Sequence, residues 1–303
     1  MLDLAVIIVN WNTRDLTINA LRSLFADLAV SGLTADVYVV DNASSDGTAE
    51  SIKALFPQVK LIVSAENLGF GGANNLAMRQ IMALPEPPGV IYLLNSDTLT
   101  QVGATRTLYD ALLAHERVGL VGAGLRYENG SFQHGAFTFP GLRQLWVELF
   151  PTPGRLIEGE FNGRYPRSLY DRGEPFPVDF VLGATMMLRR EVIAQTGMFD
   201  EQFFMYCEEI DWAWCIHDAG WQVLCVPSAQ VTHLAGKSTS QVRPRSIVNL
   251  WTSRLLLAKK HYPAWKRPLA RALIALGIAR KRSRTSDPEV RSAYEAIQRM
   301  ALH

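Results

Sequence analysis

Short apolar runs that stop abruptly in polar residues recur along the first 125 positions, and each is followed by a stretch with helical spacing. LAVIIVNW precedes DLTINALRSLFAD, DVYVVDN precedes GTAESIKALF, VKLIVSA precedes GGANNLAMRQIMAL, and VIYLLNSD precedes VGATRTLYDALLAH. Apolar runs of this length, rich in β-branched and aromatic residues, read as strands buried on both faces. Four strand and helix pairs in succession predict an α/β fold: an open, mostly parallel sheet with right-handed crossovers and flanking helices. Every run ends in polar residues at what becomes the same edge: Asn10 to Thr13, Asp41 and Asn42, Glu66 and Asn67, Asn95 to Asp97. Ligands of open α/β sheets bind outside the carboxyl ends of the strands, so four polar ends in register predict a crevice. Asp97 is therefore a candidate ligand or metal contact. A cap on a helix running through Thr98 to Val102 is the competing reading.

Beyond residue 125 the alternation dissolves. Residues 126–179 are rich in Pro, Gly and aromatics, as in FTFPGLRQLWVELFPTPGR, and carry little sustained periodicity. Long irregular segments in compact domains are commonly functional loops or lids. FVLGATMML then reads as a strand passing behind the crevice, with Gly183 permitting close approach of a ligand and Ala184 leaving it room. The stretch EQFFMYCEEIDWAW crowds Glu208, Glu209 and Asp211 among aromatics, which a solvated surface helix would seldom carry. Neighbours on a helix lie about 100° apart, so at most one or two of these acids can face a common cleft.

Composition narrows the class. A chain of 303 residues with 48% hydrophobic content can bury a full core as one large domain plus an appendage. Its three cysteines show no C-x-x-C spacing, which argues against a disulfide framework or structural zinc and fits a reducing compartment. The first residues enter the strand-like LAVIIVNW without the basic region, long apolar stretch and cleavage site of a signal peptide, so no secretory leader is expected, and no run approaches the roughly 18 apolar residues of a spanning helix. A cytoplasmic protein, or one attached to the membrane's inner face, is expected. The net charge of +1 conceals an asymmetry: residues 1–242 hold 16 Lys and Arg against 26 Asp and Glu, whereas residues 243–284 hold 12 basic residues and no acid. The two parts are expected to face different partners.

The glycine-rich NLGFGGANN invites a dinucleotide-binding reading and hence a Rossmann-type oxidoreductase. Asn74 stands where the third glycine belongs, however, and the loop follows the third strand instead of the first. Glycines ahead of a helix amino terminus still suit a phosphate or ribose, and a tight strand-to-helix turn would need them as well.

The blocks VIIVNWNT, VVDNASSDGT, ENLGFGGANN, YLLNSDT, LGATMMLRRE, FDEQFFMYCEEIDWAW and HLAGKS, in that order over about residues 4–238, resemble the inverting family-2 glycosyltransferases, particularly bacterial rhamnosyltransferase-like members. The resemblance implies a GT-A fold over residues 1–240, with a nucleotide-sugar-binding half (1–125) and an acceptor-binding half (126–240), followed by a helical basic segment (241–303). It further implies a dTDP- or UDP-sugar donor, with L-rhamnose from dTDP-rhamnose as the best match. A glycan or lipid-linked acceptor of the bacterial cell surface and Mg²⁺ or Mn²⁺ as cofactor complete the set. Residues 126–179 would then be the acceptor-side wall.

Carried over by position, Asp41 resembles the residue that accepts a hydrogen bond from the pyrimidine N3–H, with Thr13 near the base and Asn67, Gly69 and Asn74 beside the nucleotide. Asp46 reads as a helix cap. NSD occupies the place of the family's D-x-D, so Asn95 replaces the first acid and Asp97 corresponds to the metal-holding carboxylate. His233 matches a histidine that contacts the metal in some relatives, a structural hydrogen bond being its other reading; His134 is structural or lines the acceptor site. Where the family carries Glu-Asp, this chain has Glu208 and Glu209. Glu209 takes the place of the general base, and Asp211 is the alternative. Many relatives have Arg where Cys215 stands. These departures also fit a catalytically degenerate nucleotide-sugar-binding protein, which donor consumption would exclude.

In the basic segment, Trp251, Leu255, Trp265, Leu269, Leu273 and Leu276 recur at roughly helical spacings among the cations. That pattern suits the interface of an anionic membrane. A packing helix with a solvated basic face competes, and nucleic acid is not an expected partner.

Overall fold

The computed structural model describes residues 2–234 and 243–302, so the Ala235 to Ser238 part of the HLAGKS block lies outside the described residues. The strands are β1 (Leu4–Asn10), β2 (Ala35–Asp41), β3 (Lys60–Val63), β4 (Val90–Asn95), β5 (Thr98–Thr100), β6 (Val118–Arg126), β7 (Phe132–Gln133), β8 (Ala136–Phe137), β9 (Phe176–Pro177), β10 (Phe180–Val181), β11 (Thr185–Arg189) and β12 (Gln222–His233). The main sheet runs β3-β2-β1-β4-β11-β6-β12-β5. Its first four strands are parallel; β11 enters antiparallel between β4 and β6, and β12 runs parallel to β6. Helices α1 (Arg14–Ser31), α2 (Thr48–Leu55), α3 (Gly69–Met82) and α4 (Ala104–Leu113) supply the crossovers. Two apolar clusters cover the two faces of the sheet, which explains why β1 and β4 are apolar without alternation.

Three local expectations change. Thr98 to Thr100 form β5 instead of a helix, so Asp97 caps nothing. The run FVLGATMML is not one strand: it breaks at Leu182–Ala184 between β10, which pairs with β8, and β11. The irregular middle segment contains short elements, α5 (Leu142–Leu149), α6 (Gly154–Ile157) and α7 (Arg167–Asp171).

After α8 (Arg190–Thr196) and α9 (Glu208–Asp218), the basic segment folds into α10 (Arg243–His261), α11 (Lys266–Ser283) and α12 (Pro288–Leu302). These three pack with α5 around Leu145, Leu149, Trp251, Ile274, Ile278 and Ile297. The approach is so close that a Cβ on Gly277 would fall 2.5 Å from the Leu149 Cβ. Leu257 of α10 also joins Phe203 and Ile210 around α9. Part of the charge asymmetry is settled inside the molecule: Arg254 pairs with Glu148, Lys260 stands 2.7 Å from Asp200 and 2.8 Å from Asp211, and His261 lies 2.6 Å from Asp211. The acidic part and the basic segment thus face each other before either faces a partner. Among the described residues, no helix is long and apolar enough to cross a membrane.

Candidate active site

The chain leaves β1 toward β2 and β3 on one side and returns as β4 on the other, which makes the β1/β4 boundary the switch point of the sheet. A cavity of about 270 Å³ opens there. Its floor is made by the ends of β1 (Val9, Trp11) and β4 (Asn95, Ser96, Asp97) and by the break at Gly183. The start of α9 and the start of α10 form the facing wall.

A buried polar network fixes the strand ends. Asn10 Oδ1 accepts from the hydroxyls of Thr13 (2.6 Å) and Thr17 (2.7 Å), while its amide donates to Asp41 Oδ1 (3.2 Å) and Ser44 Oγ (2.8 Å). Thr13 reaches on to Ser96 Oγ at 3.2 Å. Thr13 and Asp41 therefore stand one layer behind the cavity lining. Asn42, itself in the lining, braces the next loop, donating to Asn67 Oδ1 (3.0 Å) and accepting from the Leu68 N–H (2.8 Å). Asn67 in turn accepts from the Gly69 N–H at 2.9 Å. Asn74 is turned away from the cavity: it lies one turn into α3, and its amide is used by the Phe70 carbonyl at 3.0 Å. Asp46 fastens two segments, accepting from the Thr48 N–H (3.2 Å) and the Arg14 N–H (2.8 Å).

The sheet brings Asp97 and His233 together across 136 positions, because β12 pairs antiparallel with β5 and sets His233 opposite Thr98. His233 Nε2 lies 3.4 Å from Asp97 Oδ1, both side chains are about nine-tenths buried, and the Leu234 N–H donates to the Asp97 carbonyl at 2.8 Å. Beside them Asn95 Oδ1 lines the cavity, buried and without a partner. A carboxylate and an imidazole nitrogen at this spacing fit adjacent ligands of one ion with bonds of about 2.1 Å, whose atoms stand roughly 3 Å apart. Among the described residues no group of three or more His, Cys, Asp or Glu gathers. Mg²⁺ and Mn²⁺ nevertheless complete their shells with water and substrate phosphates.

On the facing wall, Glu208 and Glu209 begin α9, and each keeps a buried Oε2 without a partner. Tyr206 and Cys207 precede them with φ of 70° and 65°, a left-handed pair that costs L-residues energy and sharply turns the chain into the helix. Burial drives the Glu208 carboxyl well above the ordinary carboxylate range, and the Glu209 charge beside it adds to the shift. Burial also raises Glu209, but helix-end N–H groups and the Arg254 guanidinium favour its ionised form. Two adjacent acids with unequal environments suit an assignment of one proton between them. Asp211 does not line the cavity. It lies about 200° around α9 from Glu209 and is clasped by Lys260 and His261. His134 sits half-buried among Phe132 and Tyr170, and burial lowers its imidazole to a pKa of about 4.

Arg245 and Asn249 of α10 also line the cavity, and periodicity alone did not single them out. Among the described residues Arg245 is the one Lys or Arg in a lining that holds three carboxyls, Asp97, Glu208 and Glu209; its guanidinium lies 5.1 Å from the Phe204 ring centre. The available signal was the absence of acids in the segment that starts there.

The parallel sheet, its antiparallel insertion and the edge cavity define a GT-A type α/β fold. The pattern of the glycosyl transferase family 2 matches residues 5–197, and the chain belongs to that family. It is 30% identical over 245 residues to the N-acetylglucosaminyl-diphospho-decaprenol L-rhamnosyltransferase of Mycobacterium tuberculosis, covering 77% of this chain and 78% of the relative. A hexosyltransferase of low-salt glycan biosynthesis from Haloferax volcanii is 27% identical over 213 residues, 70% of this chain and 61% of its own. The fold also matches a Pyrobaculum calidifontis mannosyltransferase solved with GDP-Man and Mn²⁺ (TM-score 0.57, 18% identity, 99% of this chain and 80% of that one). A second structure, GalNAc-T7 with UDP, GalNAc and Mn²⁺, matches with TM-score 0.61 at 15% identity, over 100% of this chain and 56% of the other.

Proposed function

We propose that this glycosyltransferase moves a sugar with inversion from a dTDP- or UDP-sugar, best matched by dTDP-rhamnose, to a hydroxyl of a saccharide carried on a lipid diphosphate. The observation that carries the reading is the cavity itself, with the Asp97–His233 pair on one wall and the buried acids of α9 on the other. The donor and acceptor classes rest on the mycobacterial relative, whose name states a rhamnosyl donor and a decaprenol-linked acceptor.

Asn67 lines the base side of the donor pocket, and Asp41 and Thr13 brace it from behind through Asn10, so that contact of the Asp41 carboxylate with a pyrimidine N3–H requires the Asn10 amide to yield. Gly69 lets backbone approach the ribose and phosphates. Asp97 and His233 would hold Mg²⁺ or Mn²⁺, whose charge stabilises the departing diphosphate when the ion is bound. Arg245 faces the same leaving group and orients it. Glu209 takes the proton of the acceptor hydroxyl while that oxygen attacks the anomeric carbon and the bond to the diphosphate breaks. Glu208 keeps its own proton and spares the site a second negative charge. No covalent sugar–enzyme intermediate is called for, since no carboxylate is assigned to the opposite sugar face.

The test is transfer by the purified full chain with Mn²⁺, a panel of dTDP- and UDP-sugars, and a prenyl-diphosphate N-acetylglucosamine acceptor. Product mass and anomeric coupling are the readouts. The expected product from dTDP-rhamnose has inverted configuration. Donor binding without consumption or transfer across the panel would instead favour a degenerate binding protein.

A further inference from the structure

Gln133 sits on β7, opposite Leu125 at the end of β6, and β12 flanks the other side of that same strand. Its side chain is buried, and its amide Nε2 lies 3.1 Å from His233 Nδ1. The other ring nitrogen of His233 faces Asp97. The Gln133 Oε1 is buried with no partner. With Nε2 the amide atom nearest the ring, Gln133 can only donate to Nδ1, an orientation that assigns the ring proton to Nε2, toward the Asp97 carboxylate.

That tautomer cannot bind a cation, because the nitrogen facing Asp97 carries hydrogen where a lone pair is needed. Ligation requires the neutral ring with its proton on Nδ1. An acceptor must then stand where Gln133 now presents a donor. A primary amide supplies both, since a half-turn about its last torsion exchanges Oε1 for Nε2 at nearly unchanged shape. The exchange is balanced: Nε2 gives one proton to solvent, Nδ1 takes one up, and the ring stays neutral.

We infer that Gln133 is the positioning residue of the Asp97–His233 pair: it donates to Nδ1 in the metal-free protein and turns its carbonyl to accept from Nδ1–H when His233 ligates. The inference rests on the metal reading of that pair. Outer partners of metal-bound histidines typically contribute 10–100-fold to affinity.

The experiment measures Mn²⁺ binding by electron paramagnetic resonance, with dTDP present, for the wild-type full chain, Gln133→Leu and Gln133→Glu. Long-range ¹H–¹⁵N correlation of His233 with and without Mg²⁺ and dTDP reads the tautomer directly. Gln133→Leu is expected to bind Mn²⁺ roughly 10–100-fold more weakly. Gln133→Glu, which only accepts, is expected to restore affinity to within a few-fold of wild type and to hold Nδ1–H even without metal. In the wild type the proton is expected to move from Nε2 to Nδ1 on Mg²⁺ binding. Wild type that binds metal with an unchanged tautomer, or a folded Gln133→Leu that binds Mn²⁺ as wild type does, overturns the inference and leaves the metal reading standing. Wild type that binds no metal overturns both.

Discussion

Gly69 and Phe204 are locked backbone to backbone: a Cβ on Gly69 would fall 1.9 Å from the Phe204 carbonyl oxygen, and that same oxygen accepts from the Phe70 N–H at 3.1 Å. The contact joins the donor-side loop to the segment that delivers Tyr206, Glu208 and Glu209. Gly69 also has φ of 73°, where an L-residue costs roughly 1–2 kcal/mol before any clash. Gly69→Ala is expected to lower stability by at least about that amount and to displace the start of α9, so that turnover falls more than thermal stability alone explains. Thermal unfolding together with kcat decides this. A variant with wild-type Tm and kcat would show that the two segments move freely.

How much of this was legible in the sequence depends on the range of the cause. β1 and β4 were readable because burial on both faces writes an unbroken apolar run, and Asp97 was readable because the run ends there. The pairing of Asp97 with His233 followed from resemblance alone, since no local pattern encodes that β12 runs back along β5. Gln133 carried no signal, because an isolated glutamine acquires meaning only from the ring it touches. Sequence left Asp211 as an alternative to Glu209, because which of the α9 acids faces the cavity is set by how the helix docks; Asp211 lies outside the lining, against Lys260 and His261. Counting charges pointed the basic segment at an external partner but could not show that Arg254 and Lys260 pair with acids of the same chain.

Asp97→Ala is expected to abolish metal-dependent transfer while the fold persists, because Asp97 lies in the turn between β4 and β5 at the cavity and supports no helix. Mn²⁺ titration of transfer and circular dichroism test it. Unfolding, or normal turnover, would return Asp97 to a structural role.

Glu209→Gln keeps size but cannot accept a proton, and general-base catalysis typically contributes about 10²–10⁴-fold, so kcat should fall by that order with donor affinity nearly unchanged. In the wild type, the raised Glu209 carboxyl means that activity is lost as pH falls through a value above the ordinary carboxylate range. A limb at an ordinary carboxylate pKa would argue against Glu209 as the base.

Glu208→Gln behaves differently. The folded-state pKa of Glu208 is raised, so the folded protein binds this proton more tightly than the unfolded chain does, and stability falls as pH rises from about 4.3 toward the folded value. The cost is about 1.4 kcal/mol per unit of separation. Removing the titration should raise Tm at neutral pH and leave it unchanged near pH 4. A Tm gain that is equal at both pH values would show that ionisation of Glu208 is not its source.

Asp211→Asn should act on stability and not on chemistry, because the carboxylate is clasped by Lys260 and His261 outside the cavity. Breaking a buried pair costs about 3–5 kcal/mol, and the partly exposed Lys260 places this one toward or below the lower end. Lower Tm with unchanged KM for donor is expected. A hundredfold fall in kcat at wild-type Tm would exchange its role with Glu209.

We propose membrane contact for one side of α11 only. Trp251 is buried in the helical bundle and Leu255 packs against it, so neither can enter a bilayer. Trp265, Leu269 and Leu276 remain, 63%, 48% and 64% exposed, within about 40° of one another around α11, with Arg280 and Lys266 flanking that side and Leu273 half-buried at its border. Apolar residues between cations suit an anionic interface, where each nearby Lys or Arg contributes about 1 kcal/mol that salt screens. Deleting the segment is a poor test, since α10 lines the cavity and α11 packs on α5. The triple substitution Trp265→Ser, Leu269→Ser and Leu276→Ser alters exposed positions only and should leave Tm within a few degrees. Co-sedimentation at low salt should then show wild type on anionic but not neutral vesicles, with binding reduced in the triple variant and lost at high salt. Equal partitioning of the two proteins on anionic vesicles would remove this face of α11 from membrane contact.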